Sequence, residues 1–148
     1  MATLERAIAL AASAHAGQVD KAGKPYILHP LRVMLAVDSE QAQIVAVLHD
    51  VVEDTAVTLE DLRAEGFKPE IVEAIQALTK TAGESRFAAA HRAAANPIAR
   101  LVKLADVADN MDLRRITHPT EADMARLEQY RQVQAILTNS NIHSERES

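Results

Sequence analysis

Residues 44–52, IVAVLHDVV, are apolar at every position except His49 and Asp50. A helix that is apolar on nearly every side is a buried one. A carboxylate in such a setting is very costly unless it is paired or bound to a cation. The chain must therefore close its core around a polar pair and bring positive charge to it.

The rest of the chain predicts helices to pack around this segment. Only 4 Gly and 5 Pro occur in 148 residues, too few for a turn-rich β protein, and Ala and Leu dominate long stretches. The reading is an all-α fold, seven or eight short helices in a single compact bundle. Residues 1–140 form one domain, and residues 141–148 a polar tail that frays. Apolar spacing predicts a first helix over residues 2–16, stopped at Gly17. Gly23 and Pro25 mark residues 18–28 as a loop. Pro30 suits the first helical position, which predicts His29 as the N-cap of the next helix, projecting from its mouth. A continuous helix then spans residues 39–54, stacking His49 with Glu53 and Asp50 with Asp54. Thr58 with Asp61 opens a short helix ending at Gly66, and Pro69 opens another. An Ala-rich helix follows Gly83 and Glu84. Asn96 and Pro97 begin a further one, and Thr120 with Asp123 caps the last, residues 121–137.

Several function classes drop out. Cysteine is absent, so disulfides and thiolate chemistry are excluded and a metal must be held by His and carboxylates. No apolar run reaches the roughly 18 residues of a membrane span, and no signal-peptide pattern opens the chain, so a cytoplasmic location is expected. A net charge of -5 without a basic stripe argues against nucleic acid as a partner. A small phosphorylated ligand needs only a few cations or a metal, and a homodimer is an open expectation.

A second polar group interrupts an apolar pattern in VKLADVADNM, where Asp106, Asp109 and Asn110 share one helical face. With His29, His49 and Asp50, Asp106 completes a set of two imidazoles and two carboxylates. Such a set suits manganese, iron, cobalt or zinc.

The order YILHP, LHDVVEDT, KLADVADN resembles the HD-domain phosphohydrolases, and within them the hydrolase domain of RelA/SpoT-type proteins and the small alarmone hydrolases. The likeness runs to about Leu113. It implies that His29, His49, Asp50 and Asp106 bind manganese, that Glu53 and Asp54 assist catalysis, and that Lys21 and Asn110 lie at the nucleotide. The implied reaction is removal of the 3′-diphosphate of guanosine tetra- or pentaphosphate as pyrophosphate. Lys103 and Lys24 are further candidates for diphosphate contacts. Two positions depart from the alarmone-hydrolase pattern, Asp20 where an arginine is usual and Leu113 where a polar residue is usual. They keep two alternatives open, a hydrolase of another nucleotide or phosphate ester and a non-catalytic nucleotide-binding scaffold. His15 is expected either beside the site or as a satisfied helix-end histidine. His91, His118 and His143 are expected at the surface or in the tail, while Arg114 and Arg115 could hold an anion or merely favour a helix end.

Overall fold

The computed structural model describes the backbone of residues 2–116 and 118–147, and the side chains of these residues apart from Arg115 and residues 140–147. The side chains of the expected tail, His143 among them, and that of Arg115 lie outside the described residues. Among the described residues there are nine α-helical segments and one 3-10 turn, and no strand beyond an isolated bridge between Val19 and Pro25.

The helix starts predicted from sequence at Thr58, Pro69, Asn96 and Thr120 are present, and Thr3 and Ser85 add two caps that sequence reasoning did not name. The side chain of Thr3 caps α1 (Leu4–Ala14). Thr58 and Asp61 form a reciprocal capping box at α5 (Leu59–Ala64). Pro69 starts α6 (Pro69–Leu78), and Ser85 caps α7 (Arg86–Ala94). Asn96 accepts two backbone N–H groups ahead of α8 (Pro97–Asn110). Thr120 and Asp123 exchange bonds at the start of α9 (Glu121–Glu147). This helix continues past Leu137, its expected end, because no Gly or Pro follows to stop it.

Two local expectations are corrected. His29 is not an N-cap: α2 (Leu28–Leu35) begins two residues earlier than expected, with Ile27 as its cap and Pro30 inside the first turn. A proline there costs no hydrogen bond, since the first four N–H groups of a helix lack intrahelical partners anyway. The helix through the HD pair is not continuous either. It divides into α3 (Glu40–Leu48) and a single turn, α4 (Val51–Asp54). In an unbroken helix the Ala46 carbonyl would accept from Asp50. Here it accepts the His49 backbone N–H at 3.4 Å and His49 Nδ1 at 2.5 Å. The histidine side chain thus competes with the helix ladder and ends it.

Helix α3 is the centre of the bundle. Residues 44–48 are all buried, and the helix packs against α1, α2, α6 and α8. Ala7, Ala11, Val33, Leu62, Val72, Ile75 and Val102 complete this core. A smaller cluster of Ala90, Ala94, Val107, Val133 and Leu137 joins α7, α8 and α9. The end of α3, the first turn of α2 and the C-terminal half of α8 come together, which brings His29, His49, Asp50 and Asp106 to one place.

Candidate metal centre

His29 from α2, His49 and Asp50 from the α3–α4 break, and Asp106 from α8 converge. His29 Nε2 lies 2.8 Å from Asp106 Oδ1 and 3.8 Å from Asp50 Oδ2. His49 Nε2 lies 3.0 Å from Asp50 Oδ2 and 3.3 Å from Asp106 Oδ1. Donors sharing one cation at about 2.1 Å sit roughly 3–4 Å apart, a spacing at which His29, His49 and Asp106 could hold one, while Asp50 borders this group and also lies close to Glu53 and Asp54.

His49 provides an independent test of fit. Its Nδ1 donates to the Ala46 carbonyl, so its Nε2 presents a lone pair. That atom is fully buried and makes no well-directed hydrogen bond, despite the nearby carboxylates. A buried nitrogen aimed at two carboxylate oxygens, with its other nitrogen tied to a backbone carbonyl, is the arrangement of a metal-binding imidazole.

The electrostatics also favour a cation. Burial alone would push the Asp106 carboxyl upward, but Lys103, His29 and His49 hold it well below the usual carboxylate range. Burial opposes the positive charge on both imidazoles, yet without a metal ion the carboxylates around them raise His29 and, further, His49, so the centre draws a proton onto the same nitrogens whose lone pairs a bound cation would use. Burial, followed by the charges of Asp50 and Glu53, raises Asp54 to about 6.

The centre opens onto two adjoining cavities. One, of about 340 Å³, is bordered by the four residues above together with Glu53, Asp54, Lys80, Arg86 and Lys103. The other, of about 300 Å³, has apolar walls including Leu113, Ile116 and Leu127, and polar rims at Lys21, Arg32 and Arg126. Tyr26, His29, Asn110 and Tyr130 face both.

The sequence-predicted residues take distinct places. Glu53 is held by the backbone N–H of Lys80, which donates to its Oε1 at 2.8 Å. Asp54 is tied by its carbonyl to Gln18 Nε2 at 3.2 Å. Asn110 Nδ2 donates to Asp106 Oδ1 at 3.2 Å. Lys103 is engaged with Asp106, its Nζ at 2.9 Å from Oδ2, and so braces a centre residue directly. Lys21 lies at the second cavity, whereas Lys24 lines neither. The Asp20 carboxylate accepts from the N–H groups of Ala22 and Lys24, at 2.9 and 3.0 Å, and stabilises its own loop. His15 is buried against Tyr26, with Nδ1 on Gln18 Oε1 at 2.9 Å. His91 and His118 are exposed, and Arg114 pairs with Asp112.

Sequence reasoning missed Tyr26, whose hydroxyl donates to Asp50 Oδ2 at 2.5 Å while its ring lies near those of His15 and His29. It also missed Arg32, Arg86, Arg126 and Tyr130. Tyr26 stands three residues before His29 in the quoted motif, and that proximity was the available signal.

Residues 7–139 match the HD domain family. This chain is an HD-domain protein. The HD-domain chain is 34% identical over 145 residues to a GTP pyrophosphokinase of Myxococcus xanthus, covering 85% of this chain and 19% of that protein. It is 33% identical over 120 residues to a guanosine-3′,5′-bis(diphosphate) 3′-pyrophosphohydrolase of Aquifex aeolicus, covering 73% of this chain and 17% of that protein. The chain thus spans about a fifth of the length of these curated relatives. A solved structure described as a metazoan ortholog of SpoT that hydrolyzes ppGpp and plays a role in starvation responses superposes with a TM-score of 0.74. It has 25% sequence identity and covers 95% of this chain and 85% of that one. Among the described residues no helix is long and apolar enough to cross a membrane.

Proposed function

We propose that this HD-domain chain is a divalent-metal-dependent phosphohydrolase acting on guanosine 3′,5′-bis(diphosphate), releasing GDP and pyrophosphate. The observation that carries the reading is the convergence of His29, His49, Asp50 and Asp106, with the His49 Nε2 lone pair buried and aimed at the carboxylates. The printed activity of the Aquifex aeolicus relative and of the metazoan ortholog of SpoT supports the substrate.

In this reading His29, His49, Asp50 and Asp106 hold the cation, manganese by family likeness, with iron, cobalt and zinc also suited to the ligand set. A divalent cation there supplies charge neutralisation at the phosphoryl group and makes water a better nucleophile. Glu53, fixed by Lys80 N–H, orients the attacking water, and Asp54, beside it on the same turn, accepts a proton. The more polar cavity, with Lys80, Arg86 and Lys103, receives the diphosphate. The more apolar one receives the nucleoside, with Lys21 and Asn110 at its edge.

A second reading, a hydrolase of another nucleotide, is favoured by Asp20 and Leu113 at the wall of the nucleoside cavity. There the Asp20 carboxylate is spent on its own loop, leaving no cation at that position to stack on a base. The catalytic unit is read as residues 1–140, a span that the match over residues 7–139 supports. A cytoplasmic location, a small-molecule rather than nucleic-acid partner and a homodimer belong to the same proposal, the last to be checked by light scattering.

Phosphorus NMR of the manganese-loaded protein with guanosine tetraphosphate tests the reading. Pyrophosphate and GDP are expected from wild type and none from Asp50→Ala, while Glu53→Ala retains metal and loses turnover. Product from other nucleotides only would move the assignment to the second reading. Stoichiometric binding without turnover would make the chain a scaffold.

A further inference from the structure

The two imidazoles of the centre are backed differently. Behind His49 stands a backbone carbonyl, that of Ala46. Behind His29 stands a carboxylate: His29 Nδ1 lies 2.6 Å from Asp109 Oδ2, while its Nε2 faces Asp106 Oδ1 at 2.8 Å. Both ring nitrogens face carboxylate acceptors, so without a cation each can carry a proton; a cation taken up at Nε2 would displace the proton there and leave the Nδ1 proton on Asp109. Asp109 itself sits on the far side of the ring from the centre, where it meets the ring edge and not the cage.

Asp109 is not free to swing. Arg32 grips it at two points, Nε to Oδ1 at 2.8 Å and Nη2 to Oδ2 at 3.1 Å, a fork geometry that fixes a carboxylate in plane. Arg32 follows His29 by three residues on α2, and Asp109 follows Asp106 by three on α8. Each helix thus contributes one cage residue and one residue of the support behind it. The chain His29–Asp109–Arg32 joins α2 to α8 across 77 to 80 residues of sequence.

We infer that Asp109, held by Arg32, is a positioning residue that fixes the tautomer and ring orientation of His29 and so sets the cation affinity of the centre. The inference rests on the metal reading given above. Partners of this kind raise the basicity of a ligating imidazole, and their loss costs roughly 10–100-fold in metal affinity.

The test is a Mn²⁺ titration of the full chain against a competing chelator, for wild type, Asp109→Ala, Asp109→Asn and Arg32→Gln, with urea unfolding of each metal-free protein beside it. Asp109→Ala is expected to lose roughly 10–100-fold in Mn²⁺ affinity. Asp109→Asn, whose amide oxygen still accepts from Nδ1 but carries no charge, falls between it and wild type. In zinc-loaded protein, nitrogen NMR of labelled histidine is expected to show a protected Nδ1–H on His29 that Asp109→Ala loses. A purely structural role would lower unfolding stability and leave Mn²⁺ affinity within two-fold of wild type, and that result overturns the inference. Should Asp109→Ala fail to fold, Asp109→Asn and Arg32→Gln decide by the same criterion. A wild type that binds no divalent cation overturns the metal reading and this inference with it. A wild type that binds one, with variants that bind equally well, overturns the inference alone.

Discussion

Replacing Lys103 by Met keeps most of its aliphatic stem and removes one ion pair, Lys103 Nζ to Asp106 Oδ2 at 2.9 Å. At that distance and an effective dielectric constant of about 20, the gross attraction is about 6 kcal/mol. Desolvation returns most of this, because Asp106 is only 6% exposed and Lys103 only 28%. The net contribution falls to the roughly 1.5–3 kcal/mol of a hydrogen bond to a charged group. Metal-free Lys103→Met protein is therefore expected to lose about 2 kcal/mol of stability, or roughly 4–8 °C in Tm for a chain of this length. A bound divalent cation would compensate Asp106 in place of the lysine, so in saturating Mn²⁺ the loss should shrink below about 1 kcal/mol. Urea unfolding of wild type and variant, in EDTA and in excess Mn²⁺, measures both. Equal losses in the two conditions would refute the reasoning, since they would mean that Lys103 and the cation do not serve the same carboxylate.

Tyr26→Phe keeps the ring against His15 and His29 but removes the donor to Asp50 Oδ2; it is expected to weaken Mn²⁺ binding by roughly ten-fold, read by calorimetry. Arg92→Ala removes bonds to the Gln76 and Thr79 carbonyls at the end of α6 and to Glu84; a loss of about 2 kcal/mol in urea unfolding is expected, with Mn²⁺ affinity unchanged. In metal-free protein the Asp54 carboxyl carbon should titrate near 6 by NMR, because burial and then Asp50 and Glu53 disfavour its charge. Its folded pKa exceeds the unfolded value of about 3.9, so between the two the native state holds the extra proton and this group makes stability fall as pH rises. Asp54→Asn should remove that slope, and a midpoint near 4 would contradict the environment described.

The sequence alone determined that the chain is helical and where several of its helices begin, because those signals are local. Thr58 with Asp61, Asn96 with Pro97, and Thr120 with Asp123 lie within one turn of the groups they cap, and a residue and its cap travel together wherever the chain folds. That His49 and Asp50 would need polar partners was legible too, because a charged pair within IVAVLHDVV is a violation that only a compensating partner explains, and the fold brings His29 and Asp106 to them. Tertiary structure decided the rest. The helix break at His49 depends on which carbonyl its ring reaches, and a periodicity of 3.6 holds no record of that competition. The engagement of Lys103, the Tyr26 bond to Asp50, and the Arg32–Asp109–His29 chain depend on how α2, α3 and α8 cross. Arg126 and Tyr130 reach the cavity only because α9 packs across α7 and α8. Hydrophobic burial drives that packing and is non-directional, so it fixes which faces meet. Which polar atoms then fall within bonding distance across nearly 80 residues of chain is settled only when the helices are in contact.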